Sequence, residues 1–229
     1  MTVQMRGPRQ ARTIAVVPLR DGHSGKSRLA DQFTRQERSE IVTVLARHVV
    51  STLLRVDVSR VLVVTNDPDF ARLALPPDPR VEVVVQPAER PGLNAAVSLA
   101  HELAAAQGAK RLLVVHADLP LLEPEDINAL LEPRAPVILA PDRAGTGTNA
   151  LVLNAAIRNF RFRFGPGSCF AHMKEAADLG LQTFVVQRPG TWTDLDTAAD
   201  WAALPEAVRS LLQLQLQLAS AESGISGSD

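Results

Sequence analysis

The chain has 229 residues, enough for one large domain or two small ones. Hydrophobic residues make up 46% and charged ones 21%, an ordinary balance for a packed globular protein, and a formal net charge of −1 argues against nucleic acid or anionic lipid as a partner. The one cysteine, Cys169, excludes an intramolecular disulfide and a cysteine-built zinc cage. No stretch approaches the roughly 18–20 apolar residues of a membrane span, and the polar start MTVQMRGPRQAR is unlike a signal peptide, so a cytoplasmic protein is expected.

Residues 13–19 (TIAVVPL) read as a first strand, followed by a polar loop over 20–25. A helix is expected over 37–54, where Ile41, Val44, Leu45, His48, Val49 and Thr52 recur at the three- and four-residue spacing of one buried face. Residues 60–65 (RVLVVT) and 80–86 (RVEVVVQ) give the second and third strands, the second closed by the turn Asn66-Asp67-Pro68. A helix over 93–107 ends at Gly108. Strands follow at 111–116 (RLLVVH), 136–140, 150–153 and 182–186. Apolar strands alternating with amphipathic helices predict an α/β three-layer sandwich around a mostly parallel, mixed sheet. With no repeat or linker, one domain is expected over 12–204, with flexible termini at 1–11 and 213–229. The tail LLQLQLQLASAESGISGSD reads as a short helix or strand followed by disorder, with a dimerisation element as the less favoured reading.

Four constellations bear on chemistry. Gly25-Lys26-Ser27 looks like the end of a P-loop, but the glycine needed five positions earlier is replaced by Arg20. What remains is a loop after the first strand carrying Lys26 and Arg28, at the sheet edge where parallel sheets bind ligands. Those cations could neutralise a triphosphate; a solvated helix start explains them equally well. Asp118 directly follows the fourth strand, where a hard oxygen ligand suits Mg²⁺, although a lone aspartate there usually caps a turn. Asp194 and Asp196, two apart on an extended segment, point the same way and could join it, while Asp196 or Thr197 could instead cap a helix over 198–204.

The segments 141–150 (PDRAGTGTNA) and 164–170 (FGPGSCF) are loops rich in glycine and hydroxyl residues, able to form a nest of N–H groups for an anion. The second has a purely structural reading of similar weight. His48, His101, His116 and His172 lack metal-ligand spacing and read as structural or surface residues. Cys169 has no evident base and reads as a small buried residue.

In order along residues 12–204, the stretches VVPLR…GKSRLA, VLVVTND, PGLNAA, ADLPLL, APDRAGTGTNAL, FGPGSCF and DLDT resemble those of one family. It is the 2-phospho-L-lactate or phosphoenolpyruvate guanylyltransferases of deazaflavin coenzyme F-420 biosynthesis; GTNAL and FGPGS after ADLP carry most of the likeness. The resemblance implies a Rossmann-like nucleotidyltransferase fold and transfer of GMP from GTP to phosphoenolpyruvate or 2-phospho-L-lactate with release of pyrophosphate. It implies that Lys26 and Asp118 carry catalysis, that Lys26, Arg28, Gly92 and Asn94 bind the nucleotide, and that Mg²⁺ sits at Asp118 with Asp194 or Asp196. Thr148, Gly165 and Ser168 would hold the acceptor, and transient contact with the next pathway enzyme is expected. The alternatives are another nucleotidyltransferase, acting on a molybdopterin or a sugar phosphate, or a non-catalytic nucleotide-binding regulatory domain.

Overall fold

A computed structural model describes residues 12–20 and 26–225. Most of the loop expected over 20–25, including Gly25, and the terminus expected over 1–11 lie outside the described residues. The elements run β1 (Thr13–Pro18), α1 (Arg35–Leu53), β2 (Arg60–Thr65), α2 (Pro68–Ala74), β3 (Val81–Val85), α3 (Leu93–Ala106), β4 (Arg111–Val115) and α4 (Pro124–Leu131). They continue as β5 (Val137–Pro141), β6 (Thr148–Asn154), α5 (Ser168–Asp178), β7 (Thr183–Val185), α6 (Pro189–Trp192), α7 (Ala198–Ala203) and α8 (Glu206–Ile225).

The strands form one sheet in the order β3-β2-β1-β4-β6-β5-β7. β6 runs antiparallel to both its neighbours and every other pair is parallel, so the sheet is mixed. Alternation along the strands sorts the core into two layers. Ala15, Val17, Val61, Val63, Leu113 and Val115 pack beneath α1 and α4, while Ile14, Val16, Leu62, Val64, Leu112 and Val114 pack beneath α3 and α5. Among the described residues no helix is long and apolar enough to cross a membrane.

α1 begins at a capping box, in which Thr34 Oγ1 accepts the Glu37 N–H and Glu37 Oε2 accepts the Thr34 N–H. The helix is buried on two sides, not on the single face expected. Val42, Ala46, Val49, Val50 and Leu53 meet the sheet, whereas Ile41 and Leu45 join a separate cluster with Leu29, Leu195, Trp201, Leu204, Leu212 and Leu216. The last two belong to α8, which explains the tail. Leu/Gln alternation reads like a strand, but Leu212 and Leu216 are four apart, and α1 supplies the apolar partner that makes a helix pay. The helix runs to Ile225, through the segment after 213 that composition alone suggested was a flexible terminus. Sequence periodicity also misses α2 and α4, which are too short for a periodic stripe; both start with proline at the first helical turn.

Candidate active site

The carboxyl ends of β1 and β4 lie side by side, and the chain leaving each carries one member of a charged cluster. Lys26 follows β1. It caps the short 3₁₀ turn Ser27–Leu29 in a left-handed conformation (φ 56°, ψ 37°), the only positive φ outside glycine among the described residues. Such a conformation costs a lysine about 1 kcal/mol or more and persists where the surroundings over-determine it. Here they do. Leu29 is anchored in the core, and Lys26 Nζ donates to Asp118 Oδ2 at 2.6 Å and to Asp196 Oδ1 at 2.7 Å.

Asp118 follows β4, and its own carbonyl accepts the N–H of Leu195 at 3.0 Å. That bond pins the segment carrying Asp194 and Asp196 against the β4 end, with Leu195 plugged into the core. Thr197 then caps α7 through a box with Asp200, so the capping role falls to Thr197 and leaves Asp196 for Lys26. Lys26 is 8% exposed, Asp118 24% and Asp196 44%, so the cluster grades from the interior to solvent.

The electrostatics follow from that burial. Burial pulls the Lys26 ammonium down, but Asp118 and Asp196 outweigh it and hold the group above its ordinary value. Burial pushes the Asp118 carboxyl up; the Lys26 charge, with His116 and the Lys26 hydrogen bond, more than reverses this and keeps it low. Among the described residues Asp194 has no such cationic partner. Burial first, then the negative charges of Asp118 and Asp196, push its carboxyl up to about 6. Among the described residues no three His, Cys, Asp or Glu side chains form a ready metal cage. Asp118 and Asp196 nevertheless converge on one cation, and Asp118 Oδ1 is buried with no hydrogen-bond partner among the described residues.

Beside this cluster opens a cavity of about 740 Å³ whose lining includes Lys26, Arg28, Gly92, His116, Asp118 and Asp196. Its far wall is the turn before α3, where Gln86 Nε2 donates to the carbonyls of Arg90 and Gly92, and Gly92 has a φ of 90°. A larger cavity, about 1010 Å³, lies between α1 and α8, away from the Lys26 cluster; the smaller one is the candidate site because the perturbed groups line it.

Thr148, Gly165, Ser168 and Asn94 lie next to it rather than in its wall. The bridge is a column of rings: His116 is 5.3 Å from Phe164, and Phe164 is 4.7 Å from His172. Asn94, near the start of α3, clamps the Phe164 backbone at both ends. Its Nδ2 donates to the Phe164 carbonyl at 3.0 Å and its Oδ1 accepts the Phe164 N–H at 2.7 Å. Gly165 (φ 127°) and Gly167 (φ 72°) then turn the chain into α5, whose first residue, Ser168, is buried. Thr148 comes from β6, where the register slips: Ala140 faces Ala150 but Pro141 faces Thr148, leaving Asn149 as an extra residue. The bulge re-aims Thr148, which by strict alternation would join Ala150 and Val152 under α1. Instead it contacts His172 on α5.

Sequence reasoning missed the parts played by His116, His172 and Asn149. The one local signal that could have pointed to them is the two-residue spacing of Phe160, Phe162 and Phe164, whose rings pack in a column on this side. Cys169 is buried, and burial raises its thiol further from reactivity.

The profile of the family described as "Guanylyl transferase CofC like" matches residues 13–204. The phosphoenolpyruvate guanylyltransferase of Rubrobacter xylanophilus is 38% identical over 196 residues, spanning 83% of this chain and 92% of that one. The 2-phospho-L-lactate guanylyltransferase of Methanothermobacter thermautotrophicus is 31% identical over 191 residues, 82% of each chain. Among solved structures, a putative nucleotide-diphospho-sugar transferase from Desulfovibrio desulfuricans superposes with a TM-score of 0.72 at 13% identity, covering 91% of this chain and 98% of that one. The inositol-1-phosphate CTP transferase of T. maritima gives 0.58 at 16% identity, covering 91% and 97%. At such identities the structural likeness is one of fold, and that fold is the α/β fold of nucleotidyltransferases.

Proposed function

The chain belongs to the CofC-like guanylyl transferase family, and from that premise we propose that it transfers GMP from GTP to phosphoenolpyruvate or 2-phospho-L-lactate, a step of coenzyme F-420 biosynthesis. Phosphoenolpyruvate is the acceptor we place first, because the relative of higher identity, at 38% against 31%, carries that name. A phosphate oxygen of the acceptor bonds to the α-phosphorus of GTP, the bond from that phosphorus to the bridging oxygen breaks, and pyrophosphate leaves with the electron pair. The attacking phosphate is already ionised at neutral pH, so no residue need act as base. The obstacle is charge: two unit charges about 4 Å apart repel by roughly 4 kcal/mol at an effective dielectric of 20.

The chain's own residues answer that obstacle. Lys26 and Arg28 face the cavity and offset the triphosphate, with Lys26 kept cationic by its two carboxylates. Asp118 and Asp196 would hold Mg²⁺, with Asp194 close behind; a hard oxygen pair with one unsatisfied buried atom suits it. When bound, the ion supplies positive charge to phosphate oxygens. Gly92 leaves room for the nucleotide at the α3 turn, and Asn94 holds the Phe164 loop that presents Gly165. Thr148, Gly165 and Ser168 then meet the acceptor. The enzyme works by positioning and electrostatics, without a covalent intermediate.

The observation that carries this reading is the convergence of Lys26, Asp118 and Asp196 at one wall of the 740 Å³ cavity, at the carboxyl ends of β1 and β4. The test is mass spectrometry of the products from GTP, Mg²⁺ and each acceptor in turn, repeated with the next pathway enzyme present. A guanosine diphosphate ester and pyrophosphate are expected; turnover only with CTP, or none with either acceptor, would refute it.

A further inference from the structure

Thr148 is buried, and among the described residues its hydroxyl has one hydrogen-bond partner, Nδ1 of His172 at 3.1 Å. The direction of that bond is decided at the other end of the ring. His172 Nε2 lies 2.9 Å from the backbone N–H of Arg163, which can only donate. Nε2 therefore carries no proton, and the neutral ring must carry its proton on Nδ1. Nδ1–H donates to Thr148 Oγ1. The ring is fully buried between Phe160 and Phe164, and burial lowers its pKa to about 4, so it stays neutral at working pH.

With Oγ1 accepting from His172, the hydroxyl's own hydrogen is left to donate, and no described group receives it. Two more polar atoms are buried with no hydrogen-bond partner among the described residues: Asn149 Nδ2, next along β6, and His116 Nε2. His116 and Asn149 are cross-strand neighbours, joined by the His116 N–H to the Asn149 carbonyl at 2.9 Å. Buried polar atoms are seldom left unsatisfied, and His116, whose ring packs on Phe164, also lines the 740 Å³ cavity.

We infer that His172 is a positioning residue, which fixes the Thr148 hydroxyl as a hydrogen-bond donor aimed at an anionic oxygen of the acceptor. This rests on the reading that Thr148 contacts the acceptor. Without the Nδ1–H group the hydroxyl can turn its proton back on residue 172 and present lone pairs to an anion. The β6 bulge brings Thr148 to this face, and the Arg163 N–H, acting through the imidazole, sets its polarity.

Two substitutions separate the ring's two bonds. His172→Gln places an amide oxygen near the Nε2 position, so Arg163 keeps its acceptor while Thr148 loses its donor. His172→Asn keeps a donor near the Nδ1 position. We expect H172Q to raise the acceptor KM roughly tenfold, the cost of a hydrogen bond to a charged group, with the GTP KM unchanged. H172N should recover most of that loss. In ¹⁵N-labelled wild-type protein, the signal that H172Q removes should show the Nδ1–H tautomer. An Nε2–H tautomer overturns the inference, as do equal rises in both Michaelis constants in H172Q. A raised acceptor KM in Thr148→Ala with none in H172Q sinks the role of His172 alone. An unchanged acceptor KM in Thr148→Ala sinks the acceptor-site reading and this role together.

Discussion

On one side of His116 and Phe164 the site is built from charge; on the other it is built from neutral groups, most of them buried. The charged side holds Lys26 between Asp118 and Asp196, with Asp194 pushed up to about 6 by burial and by its acidic neighbours. The neutral side holds Thr148, Ser168, Asn94 and His172, the last kept uncharged by burial. Gathering like charges costs folding free energy that a polyanion and its counter-ion can return, so the charged side is poised for ligand at the expense of stability. Aimed dipoles cost little once their partners are in place, so the neutral side is organised before anything binds. The two sides should therefore fail differently when altered.

The largest effect should come from the charged side. Asp118→Asn removes the carboxylate that both holds Lys26 and presents an unsatisfied oxygen. We expect kcat to fall by about 10²–10³-fold, the scale of losing one electrostatic stabiliser. The melting temperature should stay near that of the wild type, because Asp196 still pairs Lys26. Steady-state rates at saturating Mg²⁺ with a thermal melt check this; near-normal turnover would remove Asp118 from the chemistry.

That the charged side was legible in the sequence, and the neutral side much less so, has a physical cause. Lys26 and Asp118 follow apolar strands directly, and the sheet edge where such residues gather is fixed by parallel pairing. Asp194 and Asp196 needed only their two-residue spacing, though the Leu195 N–H bond to the Asp118 carbonyl that brings them in is a tertiary contact no local pattern records. Thr148 and Ser168 stood out as hydroxyl residues among glycines. What makes them neighbours is a β6 bulge and a histidine tautomer, and neither leaves a periodic trace. The strands were readable because each is an apolar run. The second buried side of α1 and the length of α8 were not, since each depends on the other.

The neutral side's largest effect should be at Ser168, the buried first residue of α5, where the chain turns through Gly165 and Gly167. Ser168→Ala should raise the acceptor KM about ten- to a hundredfold, as for a lost hydrogen bond to a charged group. The GTP KM should hold. Titrating each substrate at saturating levels of the other tells them apart, and a rise for GTP alone would reverse the assignment of the two sides.

Titration should set the sides against each other. His172 has a folded value of about 4, below the ordinary 6.5, so its contribution is complete above pH 6.5 and is lost as pH falls toward 4. Asp194 has a folded value of about 6, above the ordinary 3.8, so its penalty grows as pH rises from 3.8 to 6. The slopes oppose, each on the order of 3 kcal/mol across its window, with solvent screening trimming that of the part-exposed Asp194. Without Mg²⁺, Asp194→Asn should stabilise the protein at pH 7 and expose the His172 slope, with stability falling below pH 6.5. Denaturant melts of wild type and D194N from pH 4 to 8 measure this; parallel curves would mean Asp194 is not strained by its neighbours.

The smallest effect should come from Asn94, which sits where the two sides meet. Its amide makes two neutral hydrogen bonds to the Phe164 backbone, each worth about 1 kcal/mol net. Asn94→Ala should therefore lower the melting temperature by a few degrees, at about 2–4 °C per kcal/mol for a chain of this size. Because both polar ends of the amide are occupied, little is left to read a base. The kinetic cost should appear as a rise in acceptor KM of about fivefold, less than one bond to a charged group, through loosening of the loop that carries Gly165. A rise confined to the GTP KM would place the amide at the guanine instead, and would mean that Asn94 leaves Phe164 when nucleotide binds. A crystal of the GTP complex would then show the Asn94 side chain turned away from the Phe164 backbone and toward the base.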